Sequence, residues 1–390
     1  MAEAKSSLAD NFSITRGGPL HWLAVRLGLG GRVVCRAVLA VLLTWLPLVV
    51  LSLLQGEAYG SKIAIPFLKD IAANVRFLIA IPILILAETE IDRTWRLLVQ
   101  QFLRSGLVGE KELASFEAVL ESTTRLRDRA LPEALLLAAA FFPAFFFKTE
   151  LLIGGVSNWH TSAMGPGALS LAGWWFILFS APAFRFLMFR WLWRLLLVTA
   201  LLWRVTGISL HLVATHTDMA AGLGFLSEGQ KAFSPIVFAG GAVIAAQVGN
   251  AIAYQGATLS SMKFPMFAYG GIAIIILVAP LLVVTPALIK IKKQALFEYG
   301  ALVTVHNQLF DRKWIQKDHP ADVVVLGNRD PSSLADLGSS FAVIRQMGIV
   351  PIDKPTLVSL ALAAALPMVP VVLLSTPADE LIRLVLKMLG

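Results

Sequence analysis

The sequence has few charged residues and almost no cysteine. Only 15% of its 390 residues are charged, and Cys35 is its one cysteine, whereas soluble domains average about 25% charged residues. A single cysteine excludes an intrachain disulfide framework and a multi-cysteine metal site. No internal repeat is evident. The chain also lacks a nucleophile elbow, a phosphate-binding glycine loop and a paired-histidine helix. We therefore predict no catalytic residues and no cofactor, and an enzyme is the less favoured class.

Apolar runs, in contrast, are long and frequent, since 57% of the residues are hydrophobic. About 20 apolar residues cross a bilayer as a helix. We predict an all-α, polytopic transmembrane helical bundle that forms a single domain over residues 1–390. About seven spans are predicted, near 34–54, 72–89, 132–149, 168–189, 234–254, 265–289 and 355–376.

The basic residues indicate the orientation of this bundle. Lysine and arginine concentrate in alternate connections, which by the positive-inside rule places the N-terminus inside and the C-terminus outside. Cytoplasmic helical parts are predicted at 90–130, 190–232 and 290–354, with amphipathic helices at 90–105 and 110–129. Topology accounts for the net charge of +8, so membrane lipid is the expected partner and nucleic acid is not.

Residues 186–204 bring the count of seven spans into question, because they are apolar enough to form an eighth span. An eighth span would move the basic segment 290–354 to the outside. We therefore interpret 186–204 as the inner half of a long or broken helix, which either lies along the inner membrane interface or projects into the cytoplasm. Its alternating tryptophans and arginines are typical of an interfacial belt.

Charged residues cluster at the predicted inner ends of two spans. The acidic residues Glu88, Glu90 and Asp92 close the second span. The arginines Arg185, Arg190 and Arg194 follow Pro182 in the fourth span. We expect the arginines to extend to the interface. The acidic residues either pair with them in a surface ion-pair network, which is favoured, or form a cation-attracting mouth.

The fifth span carries a polar face. Gln247, Asn250 and Tyr254 are spaced by three and four residues, which places them on one side of a helix. Polar groups inside a membrane need partners, so this face is expected to point into the bundle. It either lines a pore or substrate path, or forms an interhelical hydrogen-bond clamp.

The connection between the fourth and fifth predicted spans contains an unusual polar loop at the inner face. Its candidate site residues are His211, His216, Asp218, Gly222 and Gly224. Imidazole and carboxylate groups are ordinary zinc ligands, but a spacing of five residues puts the two histidines on different faces of a helix. We therefore predict no metal. The favoured structure is a tight loop in which the glycines adopt left-handed conformations and Asp218 caps the following helix.

The same loop carries a resemblance. His216, Asp218 and the run from Ala220 to Leu226 resemble a His-x-Asp-x-Ala-Gly-Gly-Leu-Gly-Phe-Leu loop of an uncharacterised family of bacterial multi-span integral membrane proteins. Ala221 stands where that pattern has glycine. The resemblance implies a multi-pass protein of the bacterial inner (plasma) membrane, and it implies no activity.

Four functions are compatible with these features. A channel-like or ligand-responsive protein is favoured by the odd number of spans and by helices that continue into the cytoplasm, and a channel is expected to form a homo-oligomer. The alternatives are a secondary transporter, for which inverted repeats are expected, a membrane-embedded enzyme with a metal at His211, His216 and Asp218, and a membrane scaffold.

Overall fold

The computed structural model describes residues 6–146, 157–161, 168–316 and 329–375. Within these ranges the protein is helical and forms no β-strand, which confirms the predicted all-α class. Six helical runs are long and apolar enough to cross a membrane. They cover Val33–Leu54, Ile71–Arg104, Leu171–Thr206, Leu226–Gln255, Leu259–Ile315 and Lys354–Leu374.

The helices of the N-terminal half are short at first and then long. They are α1 (Ser7–Asp10), α2 (Pro19–Arg26), α3 (Val33–Thr44), α4 (Leu46–Leu54), α5 (Ile71–Val75), α6 (Ile81–Arg104), α7 (Leu113–Asp128), α8 (Ala130–Phe146), α9 (Leu171–Trp175) and α10 (Ala181–Thr206). Those of the C-terminal half are α11 (Leu226–Lys231), α12 (Ser234–Gln255), α13 (Leu259–Val278), α14 (Thr285–Phe310), α15 (Arg329–Gln346), α16 (Lys354–Ala365) and α17 (Val369–Ser375).

Six of the seven predicted spans correspond to these long helical runs. The other, at 132–149, coincides with α8, and its residues 147–149 lie outside the described ranges, as does residue 376 at the end of the last predicted span. The count of seven spans and their orientation stay predictions.

Two of the long runs are built alike. One begins at the side-chain cap Asp70 and the other at the side-chain cap Ser170. Each then passes through a five-residue π-helical segment, at Arg76–Ala80 and at Phe176–Ser180. A proline follows two residues later in both, Pro82 and Pro182. Such π segments bend helices and occur often at functional sites. No repeat is evident in the sequence, because the two runs have the same geometry but share few residues.

Helix α6 continues without a break from its apolar half into the predicted amphipathic helix. Trp95, Leu98 and Phe102 are buried on one face, as predicted. Gly106, with φ of +71°, turns the chain after α6. The Phe102 and Phe116 rings then lie 5.8 Å apart between α6 and α7. The helix predicted at 110–129 is therefore present as α7 and packs against α6.

Residues 186–204 belong to one long helix with a buried face, and their position at the membrane interface or in the cytoplasm stays a prediction. Helix α10 is one continuous helix that packs against α8 and against the 3-10 turn Ala279–Val284. Arg190 and Arg194 are only 4% and 3% exposed, and Trp191 is buried between them. Trp203, on the opposite face, is exposed. The two arginines are buried because carboxylates on neighbouring helices meet them inside the bundle.

Candidate functional site

The residues before α2 form part of the interior of the bundle. Residues 12–18, here called the N-terminal strap, lie against α6, with Phe12 and Ile14 fully buried. Sequence patterning predicts only a polar terminus there. The sequence of the strap has no helical or strand periodicity. Its conformation is held instead by hydrogen bonds to side chains of other helices.

Asp92 holds the strap. Its Oδ1 accepts hydrogen bonds from Ser13 Oγ at 2.5 Å, Ile14 N at 3.2 Å and Thr15 N at 3.3 Å. Its Oδ2 accepts from Arg96 Nη2 at 3.0 Å. The Asp92 carboxylate is buried, so these donors replace water in stabilising its charge.

Glu88, one helical turn before Asp92, is the centre of a buried ion-pair cluster. Its Oε1 accepts from Arg194 Nη2 at 2.6 Å and from Arg190 Nη1 at 3.1 Å. Its Oε2 lies 2.8 Å from Arg36 Nη1. Arg190 Nε also donates to Glu133 Oε1 at 3.0 Å. These five residues are called the Glu88 cluster.

The Glu88 cluster joins five segments of the chain. Its members come from α3, α6, α8 and α10. Arg194 and Arg190 also donate to the strap, to Thr15 O at 3.3 Å and to Gly17 O at 3.4 Å. With three arginines and two glutamates, the cluster carries one more positive than negative group.

The charged residues predicted at the inner ends of the second and fourth spans thus have different environments in the structure. Glu88 and Asp92 pair with arginines, in the interior and not on the surface as the favoured interpretation had it. Glu90 is exposed on the other side of α6. Arg185 donates to Ala140 O at 2.9 Å on α8. The expectation that Arg190 and Arg194 extend to the interface is wrong, because Glu88 and Glu133 bind them.

An apolar cavity of about 300 Å³ lies against the Glu88 cluster. Helices α2, α3 and α10 form its walls, through aliphatic and aromatic side chains that include Leu23, Leu43 and Phe186. Arg36, Glu88 and Arg190 also line it. It therefore offers mainly hydrocarbon contacts together with a few charged groups.

A second cavity, of about 540 Å³, is also lined by Arg36. It is more polar than the first and is called the polar cavity here, and its walls include the strap, α2 and the turn with Gly28, Gly30 and Gly31. His21, Arg36 and Glu88 line both cavities. Burial and the neighbouring Arg36 guanidinium lower the pKa of His21, so at neutral pH its imidazole is a neutral hydrogen-bonding group.

Two residues of this site, Arg36 and Glu133, were not among the predicted site residues. Both are isolated charges inside apolar sequence, at 34–54 and 132–149. A charge placed in an apolar run needs a partner, and this signal was sufficient to find them.

The polar loop between α10 and α11 is organised around Asp218. Its Oδ1 accepts from Ala220 N at 2.8 Å and Gly222 N at 3.1 Å, and its Oδ2 accepts from Gly224 N at 2.8 Å. Burial alone raises the pKa of Asp218, but these backbone donors outweigh it and hold the pKa below its usual value. Asp218 thus caps its own loop. The prediction that it caps the following helix is wrong, since Phe225 is the N-cap of α11.

The same bonds impose left-handed backbone on the loop. Met219 and Ala221 have φ of +54° and +55°, although neither is glycine, and Gly222 has φ of +91°. The predicted left-handed conformation is confirmed at Gly222. Gly224 is required for a different reason, because a Cβ there would lie 2.9 Å from Asp218 Cβ.

The three loop residues considered for a metal do not form one ligand group in the described structure. His216 Nδ1 lies 2.9 Å from Asp218 Oδ1. His211 is bound elsewhere: its backbone N–H donates to Leu107 O at 2.8 Å, and its ring lies beside Gly109. The loop therefore fastens the turn after α6 to the chain after α10.

Two of the three polar residues of the fifth predicted span, Asn250 and Tyr254, bond to the segment around Asp70. Asn250 Nδ2 donates to Asp70 Oδ1 at 2.7 Å, and Asn250 Oδ1 accepts from Ile71 N at 3.0 Å. Tyr254 donates to Lys69 O at 3.0 Å. Gln247 is exposed. These contacts fit the interhelical clamp, and a pore lining stays a prediction.

No protein family, curated protein or solved structure matches this chain. Its six membrane-capable helical runs show a multi-pass membrane protein. Its role is inferred from the Glu88 cluster and the two cavities that its residues line.

Proposed function

We propose that this is a ligand-responsive protein of the bacterial plasma membrane that takes an amphipathic molecule into the apolar cavity. One observation carries the proposal: the cavity wall is mostly hydrocarbon, and charged residues of the buried Glu88 cluster form part of it. Ligand sites of about 300–1,000 Å³ with apolar walls and a few convergent polar groups are typical of small-molecule binding.

Helix α2 supports entry from the membrane. Its Trp22 is exposed and lines neither cavity, and Leu23 and the C-cap Leu27 are exposed apolar side chains as well; such apolar exposure is typical of a helix lying in the interfacial layer. The cavity opens beneath this helix, since Leu23 and Leu27 also line it. A chain that enters there leaves the bilayer without crossing water.

The Glu88 cluster supports a response. Arg36 contacts both the cavities and Glu88, and Glu88 binds the two arginines that donate to the strap. A ligand group that binds Arg36 therefore competes with Glu88 and alters the bonds of the strap, α6 and α10. A ligand changes a conformational equilibrium only through such differential contacts. Channel and transporter roles stay predictions, with no described contact favouring either.

The test places a large side chain in the wall of the apolar cavity, where it would fill the space that the ligand needs. Ala40 lines the apolar cavity, whereas Val38, two residues away on α3, is 52% exposed on the outer surface. Delipidated protein is titrated with a bacterial lipid extract while its thermal midpoint is measured. Stabilisation by a bound ligand follows occupancy and reaches about 2.7 kcal/mol at 100 times the dissociation constant.

We expect saturable stabilisation in the wild type and in Val38→Phe, and its loss in Ala40→Phe. Equal responses in the two variants would contradict the proposal, as would a wild type that lipid does not stabilise in a saturable way.

A further inference from the structure

We propose that the polar cavity binds the anionic head group of a phospholipid whose chain occupies the apolar cavity. This inference rests on the proposed function, because it names the ligand class of that same site. The two cavities share His21, Arg36 and Glu88 in their walls, so they are adjacent at these residues, and a molecule with a polar and an apolar part would occupy both across this shared wall.

The charge of the polar cavity favours an anion. Arg16, Arg36 and Glu88 are the charged groups in its wall. Both oxygens of Glu88 are already bound by guanidinium groups. Glu88 therefore has little attraction left for a cation, while the two arginines have hydrogen-bond donors to spare.

Arg36 supplies the strongest unfilled donor. Its Nη1 pairs with Glu88, but its Nε is buried and has no hydrogen-bond partner. A buried donor without a partner loses its hydration and gains nothing in return. Because this nitrogen is buried, a phosphate oxygen in the polar cavity would accept from it once the Arg36 side chain turns toward that cavity. Arginine is well suited to the task, since its donors match the geometry of phosphate oxygens.

Arg16 provides a second cation that is free to move. Its side chain is 61% exposed and lies 3.4 Å from Asp92. Asp92 retains Arg96, Ser13 and two backbone donors when Arg16 turns away. A head group can therefore recruit Arg16 without leaving the Asp92 carboxylate unpaired.

The turn before α3 leaves room for the head group. A Cβ at Gly28 or Gly31 would meet no atom within 4 Å, and both glycines line the polar cavity. The amino end of α3 follows at Val33, which lines the same cavity. The unpaired N–H groups of a helix amino end add to the attraction for phosphate.

The experiment compares three probes in the same thermal titration of delipidated protein. They are phosphatidylglycerol, which is anionic, phosphatidylcholine, which is zwitterionic with the same chains, and inorganic phosphate. Arg36→Gln and Arg16→Gln remove one cavity donor each. Arg32→Gln is the matched control, because Arg32 is an exposed arginine next to α3 that lines neither cavity.

We expect the wild type and Arg32→Gln to bind phosphatidylglycerol more tightly than phosphatidylcholine. Arg36→Gln is expected to weaken phosphatidylglycerol binding by about tenfold, the value of one charged hydrogen bond, and phosphatidylcholine binding by less, because the choline cation offsets the charge of its phosphate. Arg16→Gln should act in the same direction, and it keeps the inference testable if Arg36→Gln does not fold.

Each other outcome overturns the inference in a distinct way. Equal binding of both lipids, unaffected by either arginine, removes the head-group specificity and leaves the proposed function standing. Equal stabilisation by inorganic phosphate and by phosphatidylglycerol shows a free-anion site. Failure of both lipids to stabilise the wild type overturns this inference together with the proposed function.

Discussion

Removing the charge of Glu88 should destabilise the protein far more than removing a charge from its surface. In Glu88→Gln, Arg36, Arg190 and Arg194 keep their positions around a neutral amide. Their nitrogens lie 2.6–3.1 Å from the Glu88 oxygens, so the three positive charges then repel one another at short range. Glu133 remains as the partner of Arg190 alone.

The size of the effect follows from the geometry. Two unit charges 4 Å apart attract by about 4 kcal/mol at an effective dielectric constant of 20, and removing one partner of a buried ion pair costs about 3–5 kcal/mol. We expect Glu88→Gln to fall in that range. Arg194→Met should cost less, because Glu88 keeps two arginines. The double variant should be more stable than the sum of the single effects by about 1–3 kcal/mol, since its groups are in direct contact.

The assay is a double-mutant cycle of unfolding free energies in a single detergent. Glu121 and Arg125 on α7 provide the control pair, 3.6 Å apart with side chains 58% and 67% exposed. Exposed pairs contribute about 0–1 kcal/mol, so Glu121→Gln should have little effect. The reasoning is refuted if Glu88→Gln costs no more than Glu121→Gln, or if the cycle with Arg194→Met is additive.

Two further predictions concern the strap and the polar loop. Asp92→Asn removes the charge that binds the strap, so amide hydrogen exchange at Ile14 and Thr15 should accelerate by about tenfold, with Ser13→Ala as the milder comparison; unchanged exchange would contradict the anchoring role. Because the folded pKa of Asp218 is depressed, its contribution is complete above the unfolded pKa of about 3.9 and is lost as pH falls through the lower folded value. Thermal midpoints measured from neutral pH downward should show this loss, and Asp218→Asn should lower the midpoint at neutral pH and remove that part of the acid dependence.

The buried faces of the helices could be predicted from the sequence, whereas the strap could not. Trp95, Leu98 and Phe102 recur at helical spacing, and the structure buries all three. Ser13 and Thr15 carry no such pattern, and they are buried because Asp92 and Arg194 from distant helices bind them. Hydropathy periodicity reports the environment of a regular element, so it cannot detect a segment fixed by long-range hydrogen bonds.

The arginines of α10 show where sequence reasoning failed on charge. Arg190 and Arg194 are four residues apart near tryptophans, which also describes an interfacial helix face. A buried arginine face differs from an interfacial one in having carboxylates on other helices to pair with. The sequence analysis does not identify Glu133 as such a carboxylate. Isolated charges in apolar runs, such as Arg36 and Glu133, therefore have to be considered together, because a charge inside a membrane is stable only when it is paired with an opposite charge.

The Glu88 cluster also fixes how two similarly built helical runs are rotated. Glu88 follows Pro82 on one run, and Arg190 and Arg194 follow Pro182 on the other. Each helical residue turns the helix by about 100°, so a shift of α6 or α10 by one residue would separate the glutamate from both arginines. Arg36 binds the same carboxylate while forming the wall of both cavities. Under the proposed function, a ligand that draws Arg36 away from Glu88 would act on the contact that sets this rotation, and occupancy of the cavities would reach the strap and the long helices by this route.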